Sequence, residues 1–401
     1  MKAAALQFGH RLWRLLPRDL RRRGMSGFAA ALAARPGFPP PPRSNGVLVA
    51  GDLAGPNGLA ESARIMHAVL ARHGLARGTV PLGLPSVVEK AHGTPAAGAA
   101  LLAVVNAPIL PVGLLRQPRD FLAGRRVIGL WAWELPLLPP SWRYGAKFVH
   151  EVWAPSQFTA DAVSPIAAGR VRVVPYPLAA LPDLPVAGTR ADFGLPDDAL
   201  VVLTSFNLAS SMARKNPFGN IAAFKAAFGA SRDHLFVLKI SGASAYPDDL
   251  RQIEAAIAGA PNIRLISDTL PEARLRGLIA ASDIVLSLHR SEGFGLVPAT
   301  AMLLGRPVVA TGWSGNLTFM NDAVSALVSY RLVAATDPRG NYEVAGARWA
   351  EPDIEDAAER LTRLAADSAL RGRMGAAGRA HAREMLGSGP LLAALAASGI
   401  A

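Results

Sequence analysis

Short apolar segments alternate with longer helix-like segments along most of this chain, and that alternation constrains its fold more than any other feature. In the first half such segments include GVLVAG at residues 46–51 and VIGL at residues 127–130, and a new series begins with LVVLTSF at residues 200–206. Short buried strands separated by helices are typical of parallel, doubly wound sheets. The pattern therefore predicts an α/β protein with two Rossmann-like, doubly wound domains that face each other across a cleft.

The 401 residues divide into four predicted parts. These are a basic N-terminal arm, an N-terminal Rossmann-like domain, a C-terminal Rossmann-like domain and a C-terminal helical segment, at residues 1–43, 44–182, 183–375 and 376–401. A proline-rich linker marks the boundary between the two large domains. Ser156 is predicted to cap the helix that follows a strand at residues 152–154, because a serine oxygen can accept a free amide of the first turn.

An uncharged stretch at residues 94–115 is long enough to span a bilayer. Asn106, Pro108 and Pro111 interrupt it, however, and each favours a turn or a break. We interpret the stretch as a buried strand at residues 101–105, a turn and an amphipathic segment, with a transmembrane helix as the weaker alternative.

The positive charge of the chain is concentrated at its beginning. Residues 1–43 contain nine basic residues and one acidic residue, so they hold +8 of the formal net charge of +12. Because no basic stripe runs through the rest of the chain, the sequence gives no support to nucleic acid as a partner. The chain also lacks cysteine, which excludes disulfides and thiolate zinc sites and is typical of a reducing cytoplasm.

The basic arm interleaves arginines with Leu12, Trp13, Leu15 and other leucines. This composition suits contact with the surface of an anionic membrane leaflet. The alternative is a solvated arginine-rich tail. The sequence thus favours a cytoplasmic protein that lies peripherally at the inner face of the plasma membrane through residues 1–43.

The stretch SEGFGLVPAT at residues 291–300 places a carboxylate beside a glycine-rich turn. Gly293 and Gly295 let the backbone expose its amides to a ligand, and a helix predicted to start beyond Pro298 adds a positive dipole end. Together these features suit a diphosphate. Glu292 would be repelled by phosphate, so its natural partners are the hydroxyls of an attached sugar. Such turns also occur where only close packing is needed.

Arg214 and Lys215 lie in a loop that follows the first strand of the second series. Ligands of open parallel sheets bind at the carboxyl ends of strands, so these cations are predicted to meet the diphosphate. A solvated basic loop is the alternative. The chain has no Asp-x-Asp sequence and no convincing histidine pair, so we predict no metal and no cofactor, with the leaving group neutralised by Arg, Lys and helix ends.

The segment SDIVLSLHRSEGFGLVPATAMLLGRPVVATGWSGN resembles the signature of glycosyltransferase family 4. Further similar segments are GDLAGPNGLAES, WAWELP, RVVPYP, RKNP and RWAEPD, in the order and spacing of the family. The resemblance implies a GT-B fold, with the acceptor domain first and the nucleotide-sugar domain second. It also implies a retaining, metal-independent hexosyltransferase, such as a mannosyltransferase, of the kind that builds bacterial surface polysaccharides.

The resemblance implies roles for individual residues. Glu292 matches the first glutamate of the family's E-x7-E motif, which contacts the donor sugar, and Glu134 in WAWE falls where the family meets its acceptor. Lys215 matches the basic position on the diphosphate, whereas the match of Arg214 is offset by several residues. The remaining implied donor-binding residues are Gly58, Gly293, Phe294, Gly295 and Leu296. A structural role at a helix end is the alternative for Glu134.

Thr300 departs from the family pattern, because it stands where the second motif glutamate would grip the ribose hydroxyls. A neutral hydrogen bond is weaker than a charge-assisted one by ~1 kcal/mol, or roughly tenfold in affinity. The predicted function is transfer of a hexose from a nucleotide-sugar to a glycan or lipid-linked acceptor. Thr300 keeps open a non-catalytic glycosyltransferase-like subunit, and a nucleotide-sugar epimerase is the other alternative.

Overall fold

The computed structural model describes residues 18–84, 97–181 and 185–401, and it confirms the predicted pair of α/β domains. The N-terminal domain contains a parallel six-stranded sheet in the order β2-β1-β3-β4-β5-β6. Its strands are β1 (Val47–Gly51), β2 (Ala76–Pro81), β3 (Ala100–Val104), β4 (Val127–Leu130), β5 (Glu151–Ala154) and β6 (Val171–Val173). Its helices are α1 (Arg18–Leu32), α2 (Gly58–Arg72), α3 (Leu110–Leu114), α4 (Trp142–Gly145) and α5 (Gln157–Val163).

The C-terminal domain contains a second parallel six-stranded sheet, in the order β12-β11-β10-β7-β8-β9. Its strands are β7 (Leu200–Asn207), β8 (His234–Ser241), β9 (Ile263–Ile266), β10 (Ile284–Ser287), β11 (Val308–Thr311) and β12 (Ala326–Val328). An antiparallel pair follows, formed by β13 (Tyr330–Ala334) and β14 (Arg348–Pro352). The helices are α6 (Met212–Lys215), α7 (Pro217–Phe228), α8 (Pro247–Ile257), α9 (Glu272–Ala281), α10 (Leu296–Leu303), α11 (Ile354–Ala366), α12 (Ser368–Met385) and α13 (Gly389–Ala397).

Buried apolar strands form the centre of each domain. Every residue of β1, β3, β4 and β5 is buried, as expected for a sheet covered by helices on both faces. The strand predicted at residues 101–105 is present one residue earlier, as β3, and α3 follows it in place of a membrane span. In the described part of the chain, no helix has the length and apolar character needed to cross a bilayer.

Side-chain caps set the starts of two helices. Ser156 accepts the amide of Thr159, as predicted, and begins α5. Asn57 accepts the amide of Ala60 at 3.0 Å, so α2 already begins at Gly58, within the loop that the sequence suggested. The first helical residues of α2 therefore lie at the mouth of the cleft.

The predicted arm is not wholly separate from the N-terminal domain. Trp13 and its neighbours lie outside the described residues, but α1 buries Ala29 and Ala30 against this domain. The Gly37 carbonyl lies 2.8 Å from Nε2 of His150, and the Pro41 carbonyl accepts from Arg126 at 3.0 Å. The second half of residues 1–43 thus packs as part of the folded domain.

The end of the chain joins the two domains. Helix α12 runs continuously through residue 375, where the sequence suggested a boundary, and Asp367 caps its first turn by accepting the Leu370 amide. Beyond α13, the Gly399 carbonyl accepts the Ser44 amide at 2.9 Å, and the Ala401 carbonyl accepts the Gly46 amide at 2.8 Å. The last helix therefore lies against the N-terminal domain.

Candidate active site

The two predicted ligand-binding segments meet at the reversal point of the C-terminal sheet. Strands β7 and β10 are neighbours, yet the chain proceeds from β7 to β8 on one side and from β10 to β11 on the other. A crevice forms at the carboxyl ends of strands where the order reverses in this way. Arg214 and Lys215 follow β7, and the turn that carries Glu292 follows β10, so both segments line this crevice.

Four charged residues form what we call the ionic cluster: Glu134, Arg214, Lys215 and Glu292. The Arg214 guanidinium lies 3.3 Å from Glu292 and 3.6 Å from Glu134, and Lys215 pairs with Glu292. The Arg214 residue is only 2% exposed, and its Nη1 also donates to the Ser291 carbonyl at 2.7 Å. Glu134 comes from the N-terminal domain, so this cluster spans the cleft between the domains.

The cluster fixes the charge state of its members. Burial raises the pKa of Glu292, but the cations Lys215 and Arg214 outweigh it and lower that pKa to about 2. Burial also raises the pKa of Glu134, which Arg214 only partly offsets, and lowers the pKa of Lys215. The cluster thus pairs two carboxylates with two basic side chains, which offsets the cost of burying their charges.

Unusual backbone geometry presents the two cations. Helix α6 is a single turn between Ser211 at φ 71° and Asn216 at φ 51°, both left-handed. The Ser211 hydroxyl accepts the Arg214 amide, and Asn216 accepts the Gly219 amide and donates to the Leu288 carbonyl. Non-glycine residues in this region cost on the order of 1–3 kcal/mol, and such strain clusters at functional sites. The predicted basic loop is therefore a tightly held turn of helix.

The N-terminal domain closes directly onto the glycine turn. The Gly293 carbonyl accepts the Ser156 hydroxyl at 2.6 Å, and a Cβ on Gly293 would lie 3.1 Å from the Trp133 carbonyl oxygen. On the other side, a Cβ on Gly315 would lie 2.2 Å from the Gly293 carbonyl oxygen. Close packing of the backbone therefore requires glycine at position 315 and disfavours a side chain at position 293.

The other predicted donor-binding residues surround this turn. Helix α10 begins at Leu296, two residues before Pro298, because proline is tolerated where the first-turn amides have no helical partner. Gly295, at φ 97°, precedes it, and a Cβ on Gly58 would lie 3.7 Å from Leu296, so the starts of α2 and α10 adjoin. Thr300 is half-buried in the second turn of α10, beyond the first turn in which the sequence placed it.

The side chain of Phe294 packs in the apolar core and does not face a ligand. Its ring is 3% exposed and packs between Tyr176 and Phe319, with ring centroids 4.8 and 5.0 Å away. Tyr176 belongs to the N-terminal domain, so this stack extends one apolar core across both domains. Only the backbone of Phe294 is therefore placed to meet a donor.

For three residues of the site, the sequence analysis did not predict the role that the structure shows, or predicted only part of it. The Ser314 hydroxyl accepts the Glu292 amide at 2.8 Å, and its motif GWSGN was the signal for it. Ser156 was expected only as a helix cap. Tyr342, which hydrogen-bonds Glu134, had no signal in the sequence, because it lies in a loop outside the motifs. Among the described residues, no group of three or more potential ligands is arranged to hold a metal ion.

Sequence comparisons find similarity to known glycosyltransferases over part of the chain. The profile described as "Family 4 Glycosyltransferase in conflict systems" matches residues 214–385. A D-inositol 3-phosphate glycosyltransferase of a Nocardioides species is 30% identical over 204 residues, which are 48% of this chain and 40% of that protein. One from Xylanimonas cellulosilytica is 32% identical over 146 residues, 36% of this chain and 30% of that protein. The matches to these curated relatives span less than half of their length.

Solved structures resemble the chain over most of its length. HepE of Anabaena, in complex with UDP and glucose, has a TM-score of 0.64 at 16% identity, and the match covers 88% of this chain and 99% of that one. WaaG, a glycosyltransferase involved in lipopolysaccharide biosynthesis, has a TM-score of 0.55 at 15% identity, covering 87% and 99%.

The two facing sheets, the crevice between them and these neighbours define the GT-B fold. The family 4 glycosyltransferase profile matches residues 214–385, which lie in the C-terminal half of the chain.

Proposed function

We propose that the protein transfers a hexose from a nucleotide-sugar to a glycan or lipid-linked acceptor, with retention of anomeric configuration. The observation that carries the proposal is the ionic cluster at the glycine turn, where Glu292 and Lys215 adjoin the start of α10. Carboxylate, ammonium and exposed amides at one point match a sugar linked to a diphosphate. Involvement in surface polysaccharide synthesis and mannose as the sugar rest on the family resemblance alone.

The cluster supplies complementary contacts for such a donor. Glu292 is ionised at neutral pH because its pKa lies at about 2, so it can accept hydrogen bonds from sugar hydroxyls. Lys215 has three N–H donors, one of which Glu292 takes, and the others are available to a phosphate. Arg214 is enclosed by carboxylates and acts mainly by holding them in place.

The reaction needs no nucleophile from the protein. The bond between the anomeric carbon and the phosphate oxygen breaks, and the acceptor oxygen bonds to that carbon on the same face. The acceptor proton passes to the leaving phosphate oxygen, giving a nucleoside diphosphate and a glycosylated product. The cations and the α10 start stabilise the negative charge that develops on the phosphate. Glu134, on the acceptor side of the cleft, faces the incoming hydroxyl.

Helix α1 supports a peripheral position on an anionic membrane. Met25, Phe28 and Leu32 are 38%, 68% and 57% exposed, and their spacing places them on one face of the helix. The opposite face packs on the N-terminal domain, which fixes the apolar face outward. Arg18, Arg21, Arg22 and Arg23 precede these residues in the sequence. Apolar side chains beside arginines match the acyl boundary and the headgroups of an anionic leaflet.

A thermal-shift screen against UDP-, GDP- and ADP-linked hexoses tests the transferase proposal. We expect one nucleotide-sugar class to raise the Tm of the intact protein. Lys215→Ala should weaken the shift given by the corresponding nucleoside diphosphate and leave a small response to the nucleoside unchanged. If no nucleotide-sugar or nucleoside diphosphate shifts the Tm, the proposed donor site is wrong.

Thr300 favours a second candidate, a non-catalytic subunit that binds a donor or glycan. A hydroxyl in place of the ribose-binding carboxylate weakens one donor contact. This candidate predicts binding of a nucleotide-sugar in the thermal-shift screen without release of a nucleoside diphosphate in the presence of any glycan acceptor.

A further inference from the structure

The loop between β13 and β14, residues 335–347, reaches from the C-terminal domain into the N-terminal one. We call it the strap loop. Its base is fixed in the C-terminal domain, where buried Asp337 accepts the Ser211 hydroxyl at 3.0 Å. Its far side meets the N-terminal domain, where a Cβ on Gly346 would lie 3.8 Å from Leu137. Tyr342, at the centre of the loop, belongs to the apolar core of the N-terminal domain.

Tyr342 contacts both halves of the ionic cluster. Its ring stacks on Trp133, the residue before Glu134, with centroids 5.5 Å apart and planes at 30°. The Arg214 guanidinium lies over the same ring, 5.3 Å from its centroid. The Tyr342 hydroxyl hydrogen-bonds Glu134. The Tyr342 side chain therefore contacts the Glu134 carboxylate, the ring of the preceding Trp133, and Arg214, which pairs with both carboxylates.

We propose that Tyr342 is a positioning residue whose hydroxyl donates to Glu134 and fixes that carboxylate against Arg214. The assignment deepens the proposed transferase function, on which the acceptor-side role of Glu134 rests. Tyr342 is 7% exposed, and its ring is held by Trp133 and Arg214, so the hydroxyl has little freedom to turn elsewhere. The strap loop thereby gives the acceptor side of the cleft its geometry.

The charge balance around Glu134 explains why the hydroxyl matters. Burial raises the pKa of Glu134, Arg214 and Lys215 lower it, and Glu292 raises it again. The Tyr342 hydrogen bond lowers this pKa further, while burial raises the pKa of Tyr342 itself, so the phenol remains a proton donor. Without the hydroxyl, Glu134 would hold its proton to a higher pH, and Arg214 would lose one of its two counter-charges.

A double-mutant cycle on the intact protein tests the proposal without any substrate. The Tm is measured between about pH 5 and about pH 8 for wild type, Tyr342→Phe, Glu134→Gln and the double variant. When the pKa of a carboxyl group is higher in the folded state than in the unfolded state, the fold loses stability as pH rises from the unfolded-state pKa through the folded-state pKa. Tyr342→Phe should raise the folded-state pKa of Glu134, and with it the upper end of this pH range, by about one pH unit. The Tm of the variant should therefore fall further below that of wild type as pH rises.

In the Glu134→Gln background, the effect of Tyr342→Phe should no longer depend on pH. Tyr330→Phe, on the exposed side of the same antiparallel pair, is the matched control and should behave as wild type at every pH. A pH-independent deficit for Tyr342→Phe, or the same pH dependence with Gln at position 134, would overturn the proposal and leave a packing role.

Transfer kinetics provide a second readout that separates the two proposals. With a donor from the thermal-shift screen, the acid limb of kcat should move up by about one pH unit in Tyr342→Phe, with little change in the donor KM. An unmoved acid limb would contradict the proposal even if transfer itself is confirmed. The stability cycle stands if the transferase proposal fails, because it requires no donor.

Discussion

At the scale of single residues, the site depends on Glu292 being charged while buried. Its two cations make that possible, and removing one partner from a buried ion pair typically costs 3–5 kcal/mol. The low pKa of Glu292 stabilises the fold above about pH 4.3, the unfolded value, and this contribution is lost as pH falls towards about 2. The same charge is the proposed contact with the sugar.

Glu292→Gln should therefore lower the Tm and also remove the proposed contact with the sugar. We expect transfer to fall by about 10²-fold or more, because a charge placed for the transition state is lost. Circular dichroism should stay native, and the acid-induced loss of Tm between about pH 4.3 and about pH 2 should shrink. Glu359→Gln, at an exposed position on α11, serves as the control. Unchanged transfer in the variant would remove Glu292 from the site.

Thr300→Glu tests whether the second motif position faces the ribose. A carboxylate there should raise donor affinity about tenfold, with little change in turnover at saturating donor. Thr300 lies in the second turn of α10, so the helix dipole adds little. Thr300→Gln, similar in size but uncharged, is the control. Equal dissociation constants in calorimetry for all three proteins would show that the side chain points away from the ribose.

At the scale of elements, α1 serves both packing and the proposed membrane contact. On its inner face, the Ser26 hydroxyl donates a hydrogen bond to the Pro108 carbonyl at 3.1 Å. Truncation of all of residues 1–43 would therefore disturb the N-terminal domain as well as remove charge. Point substitutions on the outer face are the sharper experiment.

Phe28→Ser with Leu32→Ser should reduce binding to vesicles that contain phosphatidylserine, by about tenfold or more for two large apolar side chains. Binding by wild type should also weaken as salt rises, because the arginines act through screened charge. Leu317→Ser, an exposed leucine of the C-terminal domain, is the control at similar exposure. Equal sedimentation of all variants with vesicles would exclude this face of α1.

At the scale of the whole molecule, the two domains are in contact across the cleft. The Ser156–Gly293 hydrogen bond, the Tyr176–Phe294 stack and the strap loop all cross it. We expect that the proposed nucleotide-sugar donor enters when these contacts open. The balance between open and closed arrangements should then depend on the cross-domain hydrogen bonds.

Ser156→Ala removes a cross-domain donor and should widen the distance distribution between the domains. Spin labels on cysteines placed at exposed Lys147 and Glu359 report it cleanly, since the natural chain has no cysteine. The variant also loses a helix cap, which costs about 1 kcal/mol. Ser26→Ala, which removes a hydroxyl hydrogen bond within the N-terminal domain, is the control for loss of a serine donor. An unchanged distribution would mean that the apolar stack alone holds the domains closed.

The sequence by itself determined the two sheets, the glycine turn and the position of Glu292. These follow from local rules, because buried strands need continuous apolar runs and close backbone approach needs glycine. The Ser156 cap was predicted for the same reason. The start of α10 was misplaced, because proline is tolerated within the first turn of a helix as well as before it.

Only the tertiary structure decided which charges meet. Arg214 looked like a free phosphate ligand, yet it is enclosed by Glu134 and Glu292 from two different domains. Tyr342 reaches the same point from a loop without a motif. Such contacts join residues far apart in the chain, and their energies depend on burial and distance, which no local pattern encodes.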